Sequence, residues 1–399
     1  MKKVLTGLFI TGKICKMISY TNEKIDTNFL RDLDLKYCPI NGWVNHLYNK
    51  SFYFYRLILE GNIESKPIPR HVVDIAKTHD NFYILFDFGY EAYAYLSFQY
   101  LHNFINSRGL HNKVVFLCAH ANLDAEYDAW CKKHNETKIL HTVFFNKMFT
   151  ATRDAYVDGG KVSNTDKTTW FCCLNHRPHP HRLGTLIYLD NFGLIDGNIV
   201  TGHDRNYEKS HGIDDPNNSY DNYVDILVRN ISPKYKNIIL SKKDDTYNKL
   251  PLIYDNPVLH NGCQPFKITD DIYNNCLINL VTETYYFNFF NHQTPAHFIT
   301  EKTLKPIMSK QMFIVIGEKG MLSVLRNMGF RTFSDFIDES YDLEPDETRM
   351  FKAVESLNTA INTYSVSELS DMTKSIREKN LKTYMKLGFG INLHNKLPI

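Results

Sequence analysis

The chain of 399 residues lacks any Cys-x-x-Cys pair. Its eight cysteines are scattered at Cys15, Cys38, Cys118, Cys131, Cys172, Cys173, Cys263 and Cys276. No common zinc-site spacing results, so no metal centre is expected. Several lie in apolar runs, where a free thiol behaves as a small hydrophobe, which fits a reducing, cytoplasmic setting. No apolar run approaches the roughly 20 residues that a helix needs to cross a bilayer, so no membrane partner is expected. The opening MKKVLTGLFITGKICK has its short apolar run broken by Lys13 and Lys16 and shows no small-residue cleavage site. It reads as a first strand or a peripheral segment rather than a signal peptide. The net charge of +2 excludes a global basic field, so any nucleic-acid contact must rest on a local patch. Internal repeats and low-complexity tracts are also missing.

What is present is enough apolar material for real cores: 43% hydrophobic residues, with 25 Tyr and 26 Phe. The length suggests two domains of ordinary size. Short apolar runs alternate with helical patterns. Phe82–Phe86 (FYILF) and Val114–Cys118 (VVFLC) read as buried strands, with a helix over 91–106 between them. A helix near 124–133 and a strand at 142–145 follow. Such alternation predicts a parallel sheet. The polar stretch 151–168, with its Gly–Gly, reads as an interdomain linker. Trp170–Leu174 (WFCCL) opens a second sheet, continued by a helix at 183–191, a strand at 276–281, a strand at 312–316 and a helix at 319–328. Residues 201–260, rich in Asn, Asp and Tyr, read as loops with short elements at 223–229 and 238–240. Residues 365–386 form an amphipathic helix.

Two stretches point to chemistry. The first is HFITEKTLKPIMSKQMFIVIG, His297 to Gly317. It places Thr300, Glu301 and Lys302 at a loop-to-helix junction between two apolar strands. A carboxylate there can accept both hydroxyls of a ribose, and an ammonium beside it can meet a phosphate. The same residues also suit an ordinary helix start, with Thr300 as cap. If Thr300 caps, Pro306 lies beyond the first turn and should kink the helix; if Thr303 caps, Pro306 is tolerated. The second stretch is NHRPHPHR after WFCCL. Asn175, Arg177 and Arg182 sit on a proline-stiffened strand end, where guanidinium groups suit a phosphate. His176, His179 and His181 fit no common metal spacing. Glu283, following a strand and preceding Tyr285 and Asn288, faces either a ligand or solvent. Asp335, Asp338, Glu339 and Asp342 lack calcium-loop spacing and read as structural.

The run FITEKTLKPI…MFIVIG resembles the donor-binding motif of fucosyltransferase-like glycosyltransferases. With GFRTF and DESYD it is similar to glycosyltransferases encoded by bacteriophages and large viruses. The resemblance covers roughly residues 169–355 and extends to the Arg177–Arg182 turn. It implies an α/β chain of two Rossmann-like domains facing across a cleft, the GT-B type. Residues 1–155 would be the acceptor domain and 156–365 the nucleotide-sugar domain. It also implies that the C-terminal helix of 366–399 crosses back to the first domain. Activity would be sugar transfer from a nucleotide-sugar, without a cofactor or an obligatory metal. Glu301 would hold the ribose, while Lys302, Arg177 and Arg182 would stabilise the leaving diphosphate. An inverting transfer needs a base from the first domain. Asp87, at the end of FYILF, leads Glu91, His120 and Asp124; its alternative role is as a helix cap. The viral setting suggests a hydroxymethylated base in phage DNA as acceptor. Lys132–Lys133, Lys242–Lys243 and His111–Lys113 are the candidate backbone contacts. A glycan or protein hydroxyl is the other acceptor class, and a non-catalytic binding protein with a degenerate transferase fold is the reading from outside enzymology.

Overall fold

The computed structural model describes residues 8–10, 13–15, 51–56, 68, 70–89, 92, 94–159, 167–175, 179–202, 219–250, 252, 270–287 and 294–387. The chain divides into two compact units. The first comprises Met1–Thr150, Phe289–Phe298 and Gly388–Ile399, and the second Ala151–Asn288 and Ile299–Leu387.

The first unit opens with a small antiparallel pair, β1 (Leu8–Ile10) and β2 (Lys13–Cys15). Its main sheet is four-stranded and parallel, in the order β3 (Ser51–Arg56), β4 (Phe82–Phe88), β5 (Val114–Cys118), β6 (His141–Phe144). The connecting helices are α1 (Arg70–Thr78), α2 (Ala94–Arg108) and α3 (Leu123–His134). Every residue of β4 and β5 is buried, which is why those runs read as continuous apolar sequence. Phe86, Phe98, Phe116, Tyr127 and Trp130 form the centre of this core. Each large apolar side chain taken out of water there contributes about 1.5–3 kcal/mol before entropy is set against it.

Helix α4 (Lys147–Gly159) carries the chain from one unit to the next. Residues 151–159 of the expected linker are therefore helical, and 160–166 lie outside the described residues. In the second unit the sheet is again parallel, in the order β10 (Met312–Ile316), β9 (Cys276–Thr282), β7 (Thr169–Leu174), β8 (Ile199–Thr201). Strand β7 thus has its successor β8 on one side and β9 on the other. The winding reverses between β7 and β9, and in open α/β sheets ligands bind beyond the carboxyl ends of the strands at such a point.

Helix α5 (Pro180–Asn191) follows β7. Two helices, α6 (Tyr220–Asn230) and α7 (Pro233–Lys249), extend the short elements expected at 223–229 and 238–240, while 203–218, 251 and 253–260 lie outside the described residues. They are anchored from α5: Asp190 accepts from Thr246 at 2.9 Å and Lys249 at 2.5 Å. A short α8 (Asp270–Asn275) leads into β9. Helix α9 (Glu301–Met308) lies before β10, and α10 (Met321–Asn327) after it. Then come a 3-10 turn (Glu339–Leu343), α11 (Asp346–Thr363) and α12 (Val366–Lys386). Ser365 and Glu368 close a capping box at the start of α12.

The C-terminal helix belongs, through Lys386, to the second unit. Its side chains bind backbone there: Arg377 donates to Lys310 O at 2.6 Å and to Ser370 O at 2.7 Å. Asn380 both accepts from Arg331 N and donates to Arg331 O at 2.8 Å. The helix expected to cross back thus packs in the second unit through Lys386, and residues 388–399 lie outside the described residues.

Candidate functional site

Six of the expected site residues lie at the carboxyl ends of β7 and β9. Glu283 is the hub. It follows β9, is fully buried, and its carboxylate accepts four donors. Thr300 N reaches Oε1 at 3.0 Å and Thr303 Oγ1 reaches it at 2.5 Å. Thr300 Oγ1 reaches Oε2 at 2.6 Å and Thr284 N reaches it at 3.2 Å. A buried carboxylate is tolerated when donors satisfy it, and this one lies at the positive end of α9. The expectation that Glu283 faces a ligand or solvent is corrected: its oxygens hold the first turn of α9. Gly317, just past β10, makes room for it; a Cβ there would meet Glu283 Cβ at 3.3 Å.

Thr300 is the N-cap of α9, accepting from Lys302 N at 3.3 Å while its hydroxyl donates to Glu283. Its side chain is thus committed internally. Pro306 lies inside the helix, which ends two residues later at Met308.

Glu301 and Lys302 open outward from this buried base. Their side chains are 14% and 28% exposed, while Thr300 and Thr303 are buried. Lys302 Nζ meets Glu301 Oε1 at 3.0 Å, Thr300 Oγ1 at 3.2 Å and Thr284 Oγ1 at 3.3 Å. Burial pushes the Glu301 carboxyl up, but Lys302 and Lys305 outweigh it and hold the group below its usual value. Lys305 follows Glu301 by one helical turn. Burial pulls its ammonium down to about 8, against the pull of Glu301 and with the push of Lys302.

On the β7 side, Asn175 is buried and ties strands together. Its Oδ1 accepts from Thr282 Oγ1 at 2.5 Å, and its Nδ2 reaches Cys173 Sγ at 3.3 Å. Both ends of the amide are therefore used inside the fold. Arg182, in the first turn of α5, is 5% exposed. Its charge bears on His181 and on Cys173, whose thiol burial pushes up to about 12. Arg177, with His176, lies outside the described residues, as do Asn288 and the candidate base Glu91.

His181 joins the two halves. Its Nε2 donates to Glu283 O at 2.8 Å, since a carbonyl can only accept. Burial first, then Arg182 and His179, hold the imidazole well below its usual range, so the ring is neutral. It stacks on Tyr286 at 5.2 Å and 12°. Tyr286 in turn carries Arg349 over its ring at 4.7 Å, and its hydroxyl donates to Asp346 O at 2.7 Å. The aromatic loop after Glu283 is therefore packed inward against α11. Thr284, Lys305 and Arg349 were not singled out from the sequence, where His181 was weighed only as a metal ligand and Thr303 only as an alternative cap. The one available signal was the threonine pair Thr300 and Thr303, three residues apart at a helix start.

In the first unit, Asp87 is 2% exposed. Its Oδ1 accepts from Gly89 N at 3.1 Å, and its Oδ2 pairs with Lys147 Nζ. It does not cap α2, which begins at Ala94. His120 is fully buried; its Nδ1 accepts from Asn122 N at 3.1 Å, leaving the proton on Nε2. Asp124 bonds Thr142 Oγ1. The loop holding His120 and Asn122 grips residues 294–297. Ala121 N donates to Ala296 O at 2.7 Å, Asn122 Nδ2 to Pro295 O at 2.7 Å, and Thr294 N to Glu126 Oε2 at 2.7 Å.

The acidic group after β10 has internal partners. Asp342 accepts from Leu322 N at 3.1 Å, Glu339 from Phe333 N at 2.6 Å and Arg326 at 3.1 Å, and Asp338 from Ser340 N at 2.9 Å. Among the described residues, no three His, Cys, Asp or Glu side chains converge as a metal-ligand set, and no helix is long and apolar enough to cross a membrane. Comparison of the chain with protein-family models, curated proteins and solved structures returned no match.

Proposed function

We propose that this chain is a glycosyltransferase of GT-B type, moving a sugar from a nucleotide-sugar to an acceptor hydroxyl. The observation that carries the reading is the Glu301–Lys302 pair. It is partly exposed at the carboxyl end of β9, beside the β7/β9 reversal, on a base of buried hydrogen bonds. Such a base holds reactive groups within the tolerance that catalysis requires. In this reading Glu301 accepts the ribose hydroxyls and Lys302 meets the diphosphate. Arg182 adds positive charge from α5. These charges act where negative charge develops as the sugar departs, and stabilising that charge lowers the barrier more than any other single effect in many transfers.

Asp87 and His120 are read as structural, and the base is assigned to neither. The acceptor is read as a glycan or protein hydroxyl in preference to a base in DNA. The expected DNA contacts are occupied: Lys242 and Lys243 pair with Asp245 and Asp244, and Lys113 Nζ donates to His79 O and Asp80 O. Lys132 and Lys133 sit in the last turn of α3, where cations complement the helix dipole. A panel of nucleotide-sugars, screened by thermal shift and then by hydrolysis and transfer, tests the reading. At least one should stabilise the protein and be turned over. A panel with no stabilising member would refute it.

A further inference from the structure

Lys302 is held in an unusual place for a lysine. It occupies the second position of α9, close to the positive end of the helix dipole, where a cation is disfavoured. Residues one apart on a helix do not normally face each other, yet its ammonium turns back to meet Glu301. Two hydroxyls hold it there, Thr284 Oγ1 and Thr300 Oγ1. Glu283 fixes both residues in turn, through Thr284 N and through the Thr300 hydroxyl. All three ammonium hydrogens are then used, one of them on Glu301. The Glu301 contact, at 3.0 Å, is slightly longer than the 2.7–2.9 Å usual for an ammonium on a carboxylate, and the two hydroxyls lie at 3.2 and 3.3 Å.

We propose that the Glu301 carboxylate is a built-in stand-in for the ligand's phosphate. In the ligand-free protein it neutralises Lys302 and keeps the ammonium in position. On binding, a phosphate oxygen replaces Glu301 at Lys302 while the two threonine hydroxyls stay in place. The released carboxylate then accepts the ribose hydroxyls. One side chain thus excludes free anions from the seat and favours ligands that bring both a phosphate and a ribose. A bare diphosphate must displace Glu301 with nothing to compensate, whereas a nucleoside diphosphate gives the carboxylate new partners. This rests on the roles given above to Glu301 and Lys302, and it adds that the two compete before they cooperate.

The consequence is a change of sign between two probes. In Glu301→Gln the competitor loses its charge but keeps its shape. Inorganic pyrophosphate should bind this variant about three- to tenfold more tightly than the parent, the scale of releasing one partly exposed ion pair. UDP and GDP should bind it more weakly than they bind the parent. Glu301→Ser, which removes the carboxylate outright, should behave the same way, and thermal unfolding of both variants checks that the fold persists. The measurement is isothermal calorimetry with the full chain at low salt. Tighter pyrophosphate binding with unchanged nucleoside diphosphate binding would uphold the stand-in and remove the ribose role of Glu301. Pyrophosphate binding that is unchanged or weaker in both variants, or absent from parent and variants alike, overturns the proposal.

Discussion

Replacing Glu283 with alanine is the most demanding test of the buried network. The substitution removes an acceptor from two backbone N–H groups, those of Thr300 and Thr284, and from the hydroxyls of Thr300 and Thr303. The hydroxyls can rotate toward other acceptors, but the two N–H groups cannot. Hydrogen bonds to a charged group contribute about 1.5–3 kcal/mol each, so losing two costs about 3–5 kcal/mol once partial relaxation is allowed. In a unit of this size each kcal/mol lowers the melting temperature by about 2–4 °C, so a fall of about 6–20 °C is expected. Glu283→Gln keeps one oxygen acceptor and should fall about half as far. Differential scanning calorimetry at neutral pH reads both. A shift below about 2 °C for the alanine variant would mean that Glu283 does not hold α9 in place.

Lys147→Met leaves the buried Asp87 carboxylate without its cation and should destabilise the first unit by about 3–5 kcal/mol in urea unfolding; loss of less than about 1 kcal/mol would refute the pair. Lys305 titrates near 8 when folded, against 10.5 when free, so the folded chain binds fewer protons between those values. Its burial cost is fully present below pH 8 and fades as pH rises to about 10.5, so Lys305→Met should gain more melting temperature at pH 7 than at pH 10, and an equal gain at both would contradict this. Arg182→Ala should weaken nucleoside diphosphate binding by about tenfold, the worth of one charge-assisted contact, and calorimetry showing parent affinity would remove Arg182 from the site.

The strands were legible because FYILF, VVFLC, WFCCL, CLINLV and MFIVI are largely buried on both faces, and uninterrupted apolar runs of that length have few other homes. The TEK junction was legible as a cap for the same local reasons that make it one. Helix α7 was not. Only Tyr235, Ile239 and Thr246 of its seventeen residues are buried, so its apolar stripe is too thin to stand out from the surrounding Asn, Lys and Asp. The role of Glu283 was hidden for a different cause. Whether a carboxylate after a strand points out or in depends on where Thr300 and Thr303 return, 17 and 20 residues later in the chain. Asp87 has the same difficulty, since its partner Lys147 lies 60 residues away in the chain. Local pattern reports which residues are apolar and which cap; it is silent on which polar groups find each other through the fold.

In the proposed reading Glu301 and Lys302 form a seat for a nucleoside diphosphate. Titrating UDP and GDP into the parent protein and into Lys302→Ala by calorimetry tests it most directly. Saturable binding of at least one of them to the parent is expected, weakened by about tenfold or more in the variant. Equal affinity in the two proteins, or heat from neither nucleotide, would contradict it.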